Sequence, residues 1–136
     1  MRIMAIDYGD ARIGLAVSDP MGILTGDAWT MEEWDMSRAA SRIVQEADKR
    51  SVSRFVLGLP KNMDGTEGPR AEKSREFKAL LETQSGLEVV LWDERRSSIE
   101  AHAILHESGK KEKVHRKTVD AVAASLILEG YLGSLK

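Results

Sequence analysis

The sequence predicts an α/β fold, a five-stranded mixed sheet with helices on both faces, and three features carry that prediction. The runs Ile3–Ile6, Phe55–Leu59 and Leu87–Trp92 are short, apolar and followed by Asp or Pro, as buried strands are. Segments whose apolar residues recur at helical spacing lie between and after them. The first two strand signals are joined only by Tyr8–Ala11, where Gly9 and Asp10 supply turn chemistry, so they form a hairpin rather than a crossover.

In chain order, Arg2–Asp7 and Arg12–Ser18 are the hairpin strands, and a weaker third strand centres on Asp27–Met31. Asp35 or Ser37 caps a helix running to about Arg50, with Ala39, Ala40, Ile43, Val44 and Ala47 at helical spacing. Ser53–Pro60 is a strand stopped by Gly and Pro, and the polar loop Lys61–Gly68 follows. Pro69 suits the first turn of the next helix, which carries Ala71, Phe77, Leu80 and Leu81 and ends near Ser85-Gly86. Leu87–Trp92 is a further strand, closed by Asp93-Glu94-Arg95. Ser97 or Ser98 caps a helix that Gly109 ends; a basic connection leads to a last helix from near Lys117 to about Leu132. An opening meander followed by strand–helix–strand crossovers makes the sheet mixed. Ligands of such sheets gather at the carboxyl ends of the strands, where Asp7, Pro60–Asp64 and Asp93-Glu94 all lie.

A chain of 136 residues is expected to form one domain, 1–136, with a real core. The net charge of −2 argues against a general nucleic-acid coat, which is usually strongly basic. Local clusters can still meet phosphates: Lys110, Lys111, Lys113, His115, Arg116 and Lys117, and the pair Arg95-Arg96; the plainer reading is a solvated face. The absence of cysteine removes disulfides, thiolate metal sites and a Cys nucleophile. No apolar run approaches the ~18 residues that span a bilayer, and Arg2 leads straight into a strand. The expected location is therefore the cytoplasm, with no membrane partner.

Three acidic positions stand out. Asp7 sits at the mouth of a strand beside a tight turn, where a carboxylate suits a metal or a phosphate, unless it merely starts the turn. Asp120 falls within roughly 60° of the middle of an apolar stripe of Val119, Val122, Ala123, Leu126, Ile127 and Tyr131. A carboxylate buried there needs a partner, either a metal or an Arg or Lys, with Arg116 and Lys117 nearby in sequence. Asp93 and Glu94 point to opposite sides of a strand end, so one of them enters a shared site, and spacing alone leaves open which.

Three carboxylates at one sheet end repel one another unless a divalent cation joins them, and Mg²⁺ or Mn²⁺ prefers such oxygen ligands. Two such ions can activate water for phosphodiester hydrolysis without a covalent intermediate. The segment Asn62–Arg70, shaped by two glycines and a proline, precedes a helix N-terminus able to hold a phosphate. His102 and His106 lie four apart but lack an obvious third ligand and read as surface residues. Trp92, next to Asp93-Glu94, is better placed than Trp29 or Trp34 to stack on a base, although packing is the plainer role for all three.

Four stretches in this order resemble one family: Ile6-Asp7-Tyr8-Gly9-Asp10-Ala11-Arg12-Ile13-Gly14 and on to Asp19, Val56–Arg70, Asp93-Glu94-Arg95, and Lys117-Thr118-Val119-Asp120 and on to Leu128. The chain resembles the YqgF/RuvX family, described both as Holliday junction resolvases and as pre-16S rRNA nucleases. The resemblance implies a ribonuclease H-like fold, a divalent cation (Mg²⁺ or Mn²⁺) and a cytoplasmic nuclease. It implies Asp7, Glu94 and Asp120 as the catalytic and metal-holding acids. Arg12, Asn62, Arg70, Arg95 and Lys117 would then hold the substrate. No Glu ends the Phe55–Leu59 strand, so the acidic set is arranged differently from that of RuvC-type resolvases.

The expected activity is metal-dependent hydrolysis of phosphodiester bonds in structured nucleic acid, with 5'-end processing of pre-16S rRNA in ribosome biogenesis as the first reading. The alternatives are Holliday junction resolution in recombination and repair, or a non-catalytic nucleic-acid-binding module. The expected partner is pre-rRNA or branched DNA, and the expected state a monomer or a homodimer.

Overall fold

The computed structural model describes residues 1–96 and 112–135, without the side chains of Arg96 and residues 112–118. Its elements are β1 (Arg2–Asp7), β2 (Arg12–Ser18), β3 (Thr25–Glu32), α1 (Met36–Lys49), β4 (Val52–Leu59), α2 (Pro69–Ser85), β5 (Glu88–Asp93), a single 3-10 turn (Glu94–Arg96) and α3 (Glu112–Ser134). The five strands form one sheet in the order β3-β2-β1-β4-β5. β1 and β3 run antiparallel to β2, while β1, β4 and β5 run parallel, so the sheet is mixed as expected.

Strand alternation divides the core in two. Met4, Ile6, Ile13, Leu15, Phe55 and Leu57 face the layer of α1 and α2, where they meet Ile43, Phe77 and Leu81. Ile3, Ala5, Ala16, Val56 and Trp92 face α3 and meet Ala124, Ile127, Leu128 and Tyr131. β1 is covered on both sides, which is why Ile3–Ile6 reads as a continuous apolar run rather than an alternating one. Trp92 is buried and stands edge-on to Tyr131, with ring centroids 6.3 Å apart, so it packs in the core.

Helix ends follow local chemistry. Asp35 caps α1 by accepting a hydrogen bond from the Arg38 N–H at 2.8 Å, which decides between Asp35 and Ser37. Pro69 opens α2, and Gly86 ends it in the left-handed conformation at φ 71°. β3 is longer than Asp27–Met31, because cross-strand pairing to β2 extends from Thr25 to Glu32.

Two expectations about the last helix are corrected. It begins at Glu112 rather than near Lys117, so part of the basic stretch is helical instead of a connection; Glu and Lys are good helix formers. Its buried residues are Ala124, Ile127, Leu128, Tyr131 and Leu132, while Val119, Val122, Ala123 and Leu126 are only half-buried. From Val119 to Leu128 the helix is apolar on most sides, so its composition there points weakly in any one direction, and contact with the sheet decides the face. The expected helix after Ser97, the histidines 102 and 106, Lys110, Lys111 and the side chains of Lys113, His115, Arg116 and Lys117 lie outside the described residues. Among the described residues, no helix is long and apolar enough to cross a membrane.

Candidate active site

Alternation along the strands brings the acids to one place. Ile3 and Ala5 face α3, and Asp7, next in that series, falls on the same side at the carboxyl end of β1. Its cross-strand partner is Gly14 of β2. A Cβ added to Gly14 would lie 1.9 Å from the Asp120 carbonyl oxygen and 3.2 Å from the Asp120 Cα. Only a residue without a side chain lets α3 approach β2 this closely, so Gly14 brings the backbone of Asp120 down over the strand beside Asp7.

The same alternation decides between Asp93 and Glu94. Val90 and Trp92 of β5 face α3, and Glu94, two residues on, opens the 3-10 turn on that side. Glu94 hydrogen-bonds to the Asp7 side chain. It lies over Gly58 of β4, where an added Cβ would meet Glu94 Cγ and Ile127 Cδ1, each at 2.8 Å. Asp93 points elsewhere: the Arg95 guanidinium donates to both of its carboxylate oxygens at 2.7–3.1 Å, and the Arg95 backbone N–H donates at 3.0 Å.

Asp120 has a partner within the chain. Arg12 Nε donates to Asp120 Oδ2 at 3.2 Å. Among the described side chains, the partner is thus a residue distant in sequence; the side chains of Arg116 and Lys117 lie outside the described residues.

Burial, the hydrogen bond with Glu94 and the Glu94 charge together hold the Asp7 carboxyl well above its ordinary pKa of 3.8; Arg70 pulls more weakly the other way. Burial, then the Asp7 charge, raises the Asp120 carboxyl above its ordinary value, and Arg12 opposes them. Asp7 and Glu94 are therefore hydrogen-bonded neighbours, with the Asp7 carboxyl shifted towards its neutral form, and Asp120 is a third acid close enough to feel the Asp7 charge.

As the side chains stand, no group of three or more His, Asp or Glu among the described residues is arranged to hold a metal ion. Positive charge near these acids comes from Arg12 at Asp120 and from Arg70 at Asp7. The donor set nevertheless fits a hard divalent cation. All three groups offer carboxylate oxygens, the donors such an ion prefers, and the close packing at Gly14 and Gly58 brings Asp120 and Glu94 to this end of the sheet.

The expected substrate residues are distributed unevenly. Arg70, in the first turn of α2, lines two concavities at this end of the sheet, one of about 200 Å³ with Tyr8, Asp10 and Lys73 and one of about 260 Å³ with Lys61 and Asn62. Asn62 is engaged within its own loop, donating from Nδ2 to Thr66 Oγ1 at 2.8 Å. Arg12 and Arg95 pair with Asp120 and Asp93, and the Lys117 side chain is outside the described residues. Lys61 and Lys73 flank Arg70 without having stood out in the sequence. A cation one residue after Pro60 and another at i+3 from Arg70 were the available signals.

The family model described as "RuvX: Holliday junction resolvase" matches residues 1–134. The chain belongs to the RuvX family. A relative from Halothermothrix orenii, named "Putative pre-16S rRNA nuclease", is 42% identical over 132 residues, which cover 97% of this chain and 94% of the relative.

Among solved structures, the Fowlpox virus resolvase in complex with Holliday junction DNA superposes with a TM-score of 0.63 at 13% identity, covering 99% of both chains. Thermus thermophilus RuvC with a Holliday junction substrate gives 0.62 at 11% identity, covering 98% of this chain and 97% of that one. The fold is thus ribonuclease H-like, and this member of the RuvX family is a nuclease.

Proposed function

We propose that the chain is a divalent-metal-dependent nuclease whose catalytic acids are Asp7, Glu94 and Asp120. The hydrogen-bonded pair of Asp7 and Glu94, with Asp120 on α3 near enough to feel the Asp7 charge, carries this reading. When bound there, Mg²⁺ or Mn²⁺ supplies Lewis-acid charge for the phosphodiester and lowers the pKa of water. Asp7, Glu94 and Asp120 would hold the cation through their carboxylate oxygens. Arg12, beside Asp120, and Arg70 would face the substrate phosphates, with Lys61 and Lys73 beside Arg70.

The proposed substrate is structured nucleic acid, and 5'-end processing of pre-16S rRNA in the cytoplasm is the role that the name of the 42% identical relative favours. Holliday junction cleavage is the second reading, favoured by the description of the family model. Residues 1–136 are proposed to act as one nuclease domain, as a monomer or a homodimer.

The test is a cleavage assay with Mg²⁺ or Mn²⁺ that presents an rRNA precursor and a four-way DNA junction side by side. We expect cleavage of the precursor, reduced at least about 100-fold in Asp7→Asn. Cleavage of the junction alone would transfer the role to resolution. Wild-type turnover in Asp7→Asn would remove the proposed site, and no cleavage by folded protein would favour a non-catalytic binding module.

A further inference from the structure

Arg95 follows the acidic pair and looks like a phosphate ligand, but its donors already have acceptors. Nε and Nη2 form a fork on the Asp93 carboxylate at 2.7–3.1 Å, and Nη1 donates to the Met63 carbonyl at 3.3 Å. The loop above has its own frame. Asn62 N–H donates to Thr66 O and Gly65 N–H to Asn62 O, both at 2.8 Å, and the Thr66 N–H and hydroxyl both donate to Asp64 Oδ1. Gly65 turns at φ 91°, and its missing Cβ would lie 3.5 Å from Arg95 Nη1. Arg95 therefore joins a loop that is already folded to the end of β5, beside Glu94.

We propose that Asp93 and Arg95 form a clamp that sets the height of the Lys61–Gly68 loop over the active site, and so the position of Arg70 in the first turn of α2. Arg95 is then a positioning residue and makes no substrate contact. The inference rests on the nuclease reading for its consequence in turnover, whereas the clamp is testable without turnover.

Asp93→Asn, Arg95→Lys and their double variant test the clamp, and Arg95→Ala tests a direct phosphate contact. Lysine keeps the charge but not the fork. Loop hydrogen exchange and equilibrium binding of a structured RNA without divalent metal are measured for each, followed by KM and kcat with metal. A clamp predicts faster exchange at Asn62, Gly65 and Thr66 and about tenfold weaker binding in either single variant. The double variant should be no worse than the singles, and the later loss should fall in KM rather than kcat.

If Arg95 is a phosphate ligand, Asp93→Asn leaves exchange and binding as in the wild type. Arg95→Ala then lowers the salt slope by about 0.7–0.9; that pattern would overturn the clamp. Faster loop exchange in protein that cleaves nothing would keep the clamp and remove only the nuclease reading.

Discussion

At Asp7, burial and the neighbouring Glu94 act in the same direction, and the pKa of the group is raised. The linkage has a definite sign. A carboxyl whose folded pKa lies above its unfolded value contributes stability that is fully present below the unfolded value and is lost as the pH rises through the folded one. Metal-free protein should therefore lose stability from Asp7, and to a lesser degree from Asp120, as the pH rises above the ordinary carboxylate range. Asp7→Asn keeps a donor towards Glu94 and never ionises. Thermal melts across pH should show this variant melting higher than the wild type near neutral pH, by about 4 °C per kcal/mol regained. The gain should vanish in acid. A gain independent of pH would mean that the Asp7 charge is not the cause.

Among the elements, α3 and the 3-10 turn reach the sheet through glycines, and the two positions differ in what they can tolerate. At Gly14 an added Cβ meets backbone atoms of α3, which no rotamer change relieves. Gly14→Ala should cost about 3 kcal/mol or more, measured by urea denaturation, and displace Asp120 with its helix. At Gly58 the obstacles are the side chains of Glu94 and Ile127, which can shift. Gly58→Ala should cost about 1–2 kcal/mol yet reduce cleavage about tenfold or more, because Glu94 moves from Asp7. If the fall in cleavage only matches the fall in folded fraction, Glu94 does not need its place over Gly58.

Over the whole molecule, a cation held by acids from β1, the 3-10 turn and α3 would tie the hairpin, the end of β5 and the last helix together. Binding to the folded state alone stabilises by about 2.7 kcal/mol at 100 times the dissociation constant. Mn²⁺ should therefore raise the melting temperature of the wild type, chelator should reverse the rise, and Asp7→Asn should largely abolish it. An equal shift in wild type and variant would mean that the ion binds elsewhere.

Much of this arrangement was legible in the residues. The hairpin, the helix capped at Asp35, the helix from Pro69 to Ser85 and the parallel strands follow from short-range rules of period and turn chemistry. Asp7 was legible because a carboxylate after a buried strand is costly, and Asp120 because it lies near an apolar stripe. The choice of Glu94 over Asp93 was present in the alternation of β5, but only once the α3 side was known to be the side of Asp7. Three things depended on the tertiary structure. Arg12 pairs with Asp120 across 108 positions of sequence, Arg95 serves Asp93 and the Met63 carbonyl, and Gly14 and Gly58 are made necessary by what packs on them. Local propensity is a property of a few adjacent residues and is written in their order. The partner of a charge and the space beside a glycine are set by chains that meet only after folding.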